Sequence, residues 1–156
     1  MAKRLYGSAV RTAYRAGWVL LRVYWFVFRP AEEGVRCALW RGNELLLVRH
    51  SYGDRGWLLP GGRLKRGEPP AEGARREIGQ EIGADVTEWQ AMGALETTTL
   101  HKRDRTHYLR AGIAGVALKL DGPEFSEVMW WSGAEPPAGS SPDLVDAARR
   151  GFLARP

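Results

Sequence analysis

The chain has 156 residues, 44% apolar and 26% charged, with a single cysteine, Cys37. That length and balance fit one folded domain and exclude a disordered, collagen-like or disulfide-stapled chain. The formal charge of +5 invites a nucleic-acid or anionic-membrane partner, so its distribution along the chain matters.

Residues 1–29 contain Lys3, Arg4, Arg11, Arg15, Arg22 and Arg29 and no acidic residue, so they hold six of the 23 basic groups. The rest of the chain carries 17 basic against 18 acidic groups, a net of −1. At about 100° per residue, the arginines at 4, 11, 15, 22 and 29 fall within a stripe about 40° wide. The pattern predicts an N-terminal basic amphipathic helix, with Ala9, Ala13, Leu20, Tyr24 and Val27 on the other face. Pro30 discourages its continuation, which divides the chain into an arm, 1–30, and a body, 31–156. Arg22 interrupts the best apolar run, and no small-residue cleavage site follows it. The expectation is therefore neither a membrane span nor a secretory signal, but a cytoplasmic chain or one peripheral to a membrane. Packing on the body or on a second copy, as a homodimer, is the first expectation for the arm. Docking of residues 1–29 on an anionic membrane surface is the second, and nucleic acid the last.

In the body, Val35 to Trp40 and Leu45 to His50 read as apolar strands joined by a turn at Arg41-Gly42-Asn43. A glycine-rich stretch, Tyr52 to Gly67, leads into a charged helix from Pro70 to Ile82, stopped by Gly83. Trp89 to Thr99 and His107 to Leu120 read as a longer strand pair around a loop at His101 to Arg105. Val128 to Trp131 is a short strand. Ser141 and Pro142 open a final helix that runs to about Leu153. This mixture predicts an α/β fold in which helices cover a mixed sheet.

The chemistry concentrates between Leu59 and Ala84. Glu77 and Glu81 are four residues apart and share a helix face, and Gln80 stands three after Glu77. Their oxygens suit Mg²⁺ or Mn²⁺. Gly61 and Gly62 let backbone groups approach a metal or a phosphate. Glu68 and Arg76 have opposite charge, and a contact between them would orient the neighbouring carboxylates.

The run resembles the signature of the Nudix hydrolases, Gly-x5-Glu-x7-Arg-Glu-(apolar)-x-Glu-Glu-x-Gly-(apolar). Gly62, Glu68, Arg76, Glu77, Ile78, Glu81 and Gly83 stand at the matching positions. Gln80 replaces the first Glu of the Glu-Glu pair, and Ala84 holds the last apolar position. With its flanks the resemblance covers 34–156. It implies a Nudix-like α/β/α sandwich with a mixed β-sheet. It also implies a Mg²⁺-dependent (or Mn²⁺-dependent) pyrophosphohydrolase that cleaves a nucleoside diphosphate linked to another moiety. By resemblance Glu77 and Glu81 are metal ligands, one of them assisting as base, with Gln80 as a weak ligand and the Gly61 carbonyl as another. Arg76 and Glu68 would position Glu77. Gln80 brings no negative charge, so the alternative is a nucleotide-binding module of weak or no activity. Glu96, Asp104, Glu124 and Glu127 are the carboxylates that would compensate. A third reading is a membrane-peripheral member docked by its arm.

Candidate substrate contacts are Arg49, Arg55, Gly62, Lys102 and Arg103. An exposed hairpin tip is the simpler use of Lys102 and Arg103, and core packing is the commoner use of Trp57. The proline that members resembling the ADP-ribose group carry about 15 residues past the box is missing. The NADH-group signature is missing too, and His50, His101 and His107 lack zinc-ligand spacing.

Overall fold

The computed structural model describes residues 31–51, 56–99, 102–114, 117–119 and 124–155. The helix expected in the arm and the candidate contact Arg55 lie outside them. Residues 33–95 and 105–156 form one compact unit; a second comprises residues 1–32 and 96–104.

A five-stranded mixed sheet has the order β3-β4-β1-β2-β5. Its strands are β1 (Ala31–Arg41), β2 (Glu44–His50), β3 (Gln90–Thr99), β4 (Lys102–Gly112) and β5 (Phe125–Trp131). Among the described residues two helices accompany it, α1 (Pro70–Ile82) and α2 (Pro142–Arg149). Alternation along the strands builds a core on each face. Val35, Cys37 and Leu39 of β1, with Leu46 and Val48 of β2, pack with Ala74, Ile78 and Ile82 of α1. Ala38, Trp40, Leu45 and Leu47 point the other way and pack with Leu144 and Ala147 of α2. Each fully buried Leu or Ile contributes about 1.5–3 kcal/mol. Burial also raises the Cys37 thiol well above its ordinary range.

Helix α1 follows its sequence signals. Pro70 begins it and Gly83 ends it in the left-handed region, at φ 65°. Leu64 packs on Gly73, where an added Cβ would lie 2.1 Å from Leu64 Cδ2 and force that side chain to move. Nothing in the structure explains Gly79, which is exposed. In α2 the Ser141 hydroxyl accepts the Leu144 N–H at 3.3 Å, the expected N-cap.

Several boundaries differ from expectation: β1 begins at Ala31 rather than Val35 and β5 at Phe125 rather than Val128. The charged run after His101 is strand, since β4 begins at Lys102. Alternation leaves Arg103 and Arg105 exposed and Asp104 and Thr106 half-buried, so the charges do not prevent a strand. The same strand stops at Gly112 rather than Leu120. Helix α2 ends at Arg149 rather than Leu153, because Gly151 turns the chain at φ 73°.

One departure from a plain sheet creates the site. Among the described residues, β1 and β2 pair at Trp40–Leu45 and Arg41–Glu44. Beyond that they diverge, and residues 58–64 enter the gap. Leu58 exchanges both backbone hydrogen bonds with Val48 of β2, at 2.9 and 3.0 Å. On the other side, Cys37 and Val35 N–H donate to the carbonyls of Pro60 and Gly62, at 2.9 and 2.8 Å. The double-glycine segment is thereby clamped against β1.

Candidate active site

The azimuth of α1 is set by Ala74, Ile78 and Ile82, spaced by four residues and fully buried. Glu77 and Glu81 each precede one of these isoleucines, so they sit at the edge of the buried stripe, both half-buried. Gln80 lies about 160° around the helix from Ile78 and is exposed. Sharing a face with Glu77 in sequence therefore does not bring Gln80 into the half-buried patch.

The two glutamates meet the glycine segment differently. Glu81 Oε2 accepts the Gly61 N–H at 3.0 Å. Glu77 rests on Gly62, where an added Cβ would be 2.4 Å from its Oε2. Behind them, Arg76 grips Glu68 with two forked hydrogen bonds of 2.7 Å each. The same guanidinium donates to Glu77 Oε1 at 2.5 Å and to the Arg63 carbonyl at 3.0 Å. Glu68 also accepts the Lys65 N–H at 2.8 Å. Its hydrogen bonds with Arg76 and Lys65 pull the Glu68 carboxyl down to about 2. Glu81 goes the other way. Burial pushes it up to about 7, opposed by the Gly61 N–H and assisted by the charges of Glu124 and Glu77.

The arrangement predicts a sharp distinction between Arg and Lys at position 76. Lysine keeps the charge but cannot span Glu68, Glu77 and a carbonyl with one planar fork. Arg76→Lys is expected to lower kcat/KM by about 10–100-fold, the usual cost of losing an orienting partner. Steady-state kinetics alongside a thermal melt checks this; full activity would show that Glu77 needs no such support.

Among the described residues, no group of three or more His, Cys, Asp and Glu side chains is arranged to hold a metal ion. The donors at hand are nevertheless hard oxygens: the Glu77 and Glu81 carboxylates beside the glycine segment. Mg²⁺ is commonly held by one or two carboxylates, with water and substrate phosphates completing its octahedron. These residues fit that requirement.

Of the carboxylates that would compensate for Gln80, Glu124 acts on Glu81 through its charge. Glu127 is engaged with Arg49. Glu96 and Asp104 fall in the second unit. The candidate substrate contacts also separate. Arg49 donates twice to Glu127, at 3.0 and 3.1 Å, and its guanidinium lies 4.2 Å from the ring centroid of Trp57. It is therefore engaged within its own chain, over a buried tryptophan. Lys102 and Arg103 belong to the second unit, where Arg103 is exposed.

A residue the sequence reading passed over stands next to the glycine segment. Arg36 Nη1 donates to the Gly61 carbonyl at 3.2 Å and to the Leu59 carbonyl at 3.5 Å. The available signal was a lone arginine inside the apolar strand Val35–Trp40.

Comparison with known proteins agrees with the geometry. The Bacillus subtilis protein YjhB is 37% identical over 84 residues, which is 53% of this chain and 40% of the relative. The ADP-ribose pyrophosphatase of Mycobacterium tuberculosis is 46% identical over 70 residues, 44% of this chain and 34% of the relative. The chain thus spans less than half the length of these curated relatives. Among solved structures, a MutT NUDIX hydrolase from Burkholderia pseudomallei shares the fold, with a TM-score of 0.67 at 18% identity. That match covers 77% of this chain and 97% of the other. A MutT protein from Methanosarcina mazei Go1 gives a TM-score of 0.62 at 24% identity, covering 80% and 91%. The NUDIX domain matches residues 30–155, and the chain belongs to that family.

Proposed function

We propose that this chain is a metal-dependent pyrophosphohydrolase acting on a nucleoside diphosphate linked to another moiety. The observation that carries the reading is the pair Glu77 and Glu81, each set against one glycine of the Gly61-Gly62 segment. ADP-ribose is the first substrate to test, because the Mycobacterium tuberculosis relative bears that activity in its name. A divalent cation bound by Glu77 and Glu81, Mg²⁺ or Mn²⁺, would neutralise phosphate oxygens and lower the pKa of the attacking water. The chain's own residues supply position. Arg76 and Glu68 hold the Glu77 carboxylate in one orientation, and the glycines let the segment lie close against β1 and against Glu77.

Exposure of Gln80 favours one competing reading, a binding module with an impaired metal site. A panel of nucleoside diphosphate derivatives, with Mg²⁺ and with Mn²⁺, separates the two when run on the native chain and on Gln80→Glu. Glu77 and Glu81 form the half-buried patch, so Gln80→Glu is expected to lower the metal concentration needed for half-maximal activity severalfold, with kcat changed by less than about threefold. A native chain inert on the whole panel, or a kcat gain near 100-fold in the variant, would establish the impaired site instead.

A further inference from the structure

Arg36 lies between Val35 and Cys37, both of which face α1. Strand alternation therefore starts its side chain toward the α2 face. It is half-buried. Among the described residues no acidic side chain forms an ion pair with it. Arg76 and Arg49, by contrast, are bound by Glu68, Glu77 and Glu127. Both hydrogen bonds of Arg36 come from Nη1, while a guanidinium carries five N–H donors in a planar fork that suits phosphate. A half-buried guanidinium held by two carbonyls, and by no carboxylate among the described residues, thus stands on the carbonyl of Gly61. The N–H of that residue is bound to Glu81.

That position makes two cations compete. By the family resemblance the Gly61 carbonyl would be an oxygen for a divalent ion beside Glu81, and a guanidinium on the same oxygen would repel that ion. A phosphate resolves the conflict, because it attracts both. Resting on the hydrolase reading above, we propose that Arg36 is a diphosphate-binding residue that occupies the Gly61 carbonyl in the free protein. When substrate arrives with its metal, Arg36 yields that oxygen and turns its fork to a non-bridging phosphate oxygen.

The test uses the full chain and two variants, Arg36→Met and Arg36→Lys. Calorimetry reads Mn²⁺ binding without nucleotide and, separately, ADP-ribose binding in EDTA. Arg36→Met should bind Mn²⁺ severalfold more tightly and ADP-ribose about tenfold or more weakly. Arg36→Lys keeps the charge and loses the fork, so its Mn²⁺ affinity should stay near native while ADP-ribose binding weakens. A merely structural arginine would lower the melting temperature without tightening Mn²⁺. Unchanged Mn²⁺ affinity in Arg36→Met, or unchanged ADP-ribose affinity in both variants, overturns the proposal. If Arg36→Met does not fold, native ADP-ribose affinity in Arg36→Lys overturns it alone. Neither titration needs turnover, so a native chain that hydrolyses nothing counts against the hydrolase reading separately.

Discussion

Glu81→Gln should abolish most of the activity and at the same time stabilise the metal-free protein. The functional loss follows from the donor set. Glu77 and Glu81 are half-buried carboxylates set against the glycine segment, and an amide removes one of their two negative charges. A fall of about 10²–10⁴ in kcat is the scale for losing a group that acts on the reacting centre. The gain in stability follows from linkage. Burial raises Glu81 from 4.5 to about 7, so between those values the native state holds a proton that the unfolded chain has released. A state that binds more protons loses stability as pH rises. Ionising Glu81 above about pH 7 therefore costs folding on the order of 1–3 kcal/mol. Glutamine still accepts the Gly61 N–H and escapes that cost. Urea unfolding in EDTA should show the variant ahead of the native chain at pH 8 and level with it near pH 4.5. A variant equally active with Mg²⁺, or no more stable at pH 8, would remove Glu81 from this role.

The second large effect is on folding. Gly61 sits at φ 139°, and a Cβ there would fall 2.3 Å from the Val35 carbonyl oxygen and 3.2 Å from Arg36 Cα. Those are backbone atoms of a central strand, so no side chain can rotate away to make room. Overpacking costs about 1–3 kcal/mol, and the disallowed φ about 1–3 more. Gly61→Ala should therefore lose about 2–6 kcal/mol, a large part of the stability of an ordinary domain. Chemical denaturation measures it directly. The movement needed would also break the Gly61 contacts with Glu81 and Arg36, so any folded fraction should be inactive. A fully stable Ala variant would mean that the glycine segment is not clamped between β1 and β2.

Much of this was legible in the chain alone. The limits of α1 were readable because Pro70, the stripe Ala74, Ile78 and Ile82, and Gly83 are local signals acting within a few residues. The N-cap of α2 at Ser141 was legible for the same reason. Strand ends were less so. The charges of β4 look like a loop by composition, and only alternation in a folded sheet shows that they can point outward. Helix α2 stops short of Leu153 because of the turn at Gly151, and its apolar residues beyond that point pack without being helical.

The candidate site divides along the same line. Spacing within one helix placed Glu77 and Glu81 together, since helical geometry is fixed by sequence distance. It could not decide the depth of Gln80, which depends on the buried stripe and on what covers it. The partners of Arg36, Arg49 and Glu124 were beyond spacing altogether. Arg49 meets Glu127 across strands 78 residues apart in sequence, and Arg36 reaches Gly61 across 25. Local spacing along the chain carried the family signature, the two carboxylates and the glycine pair beside them. Folding of distant strands settles that Arg49 and Arg76 meet carboxylates while Arg36 meets carbonyls, because local order along the chain carries no record of such pairing.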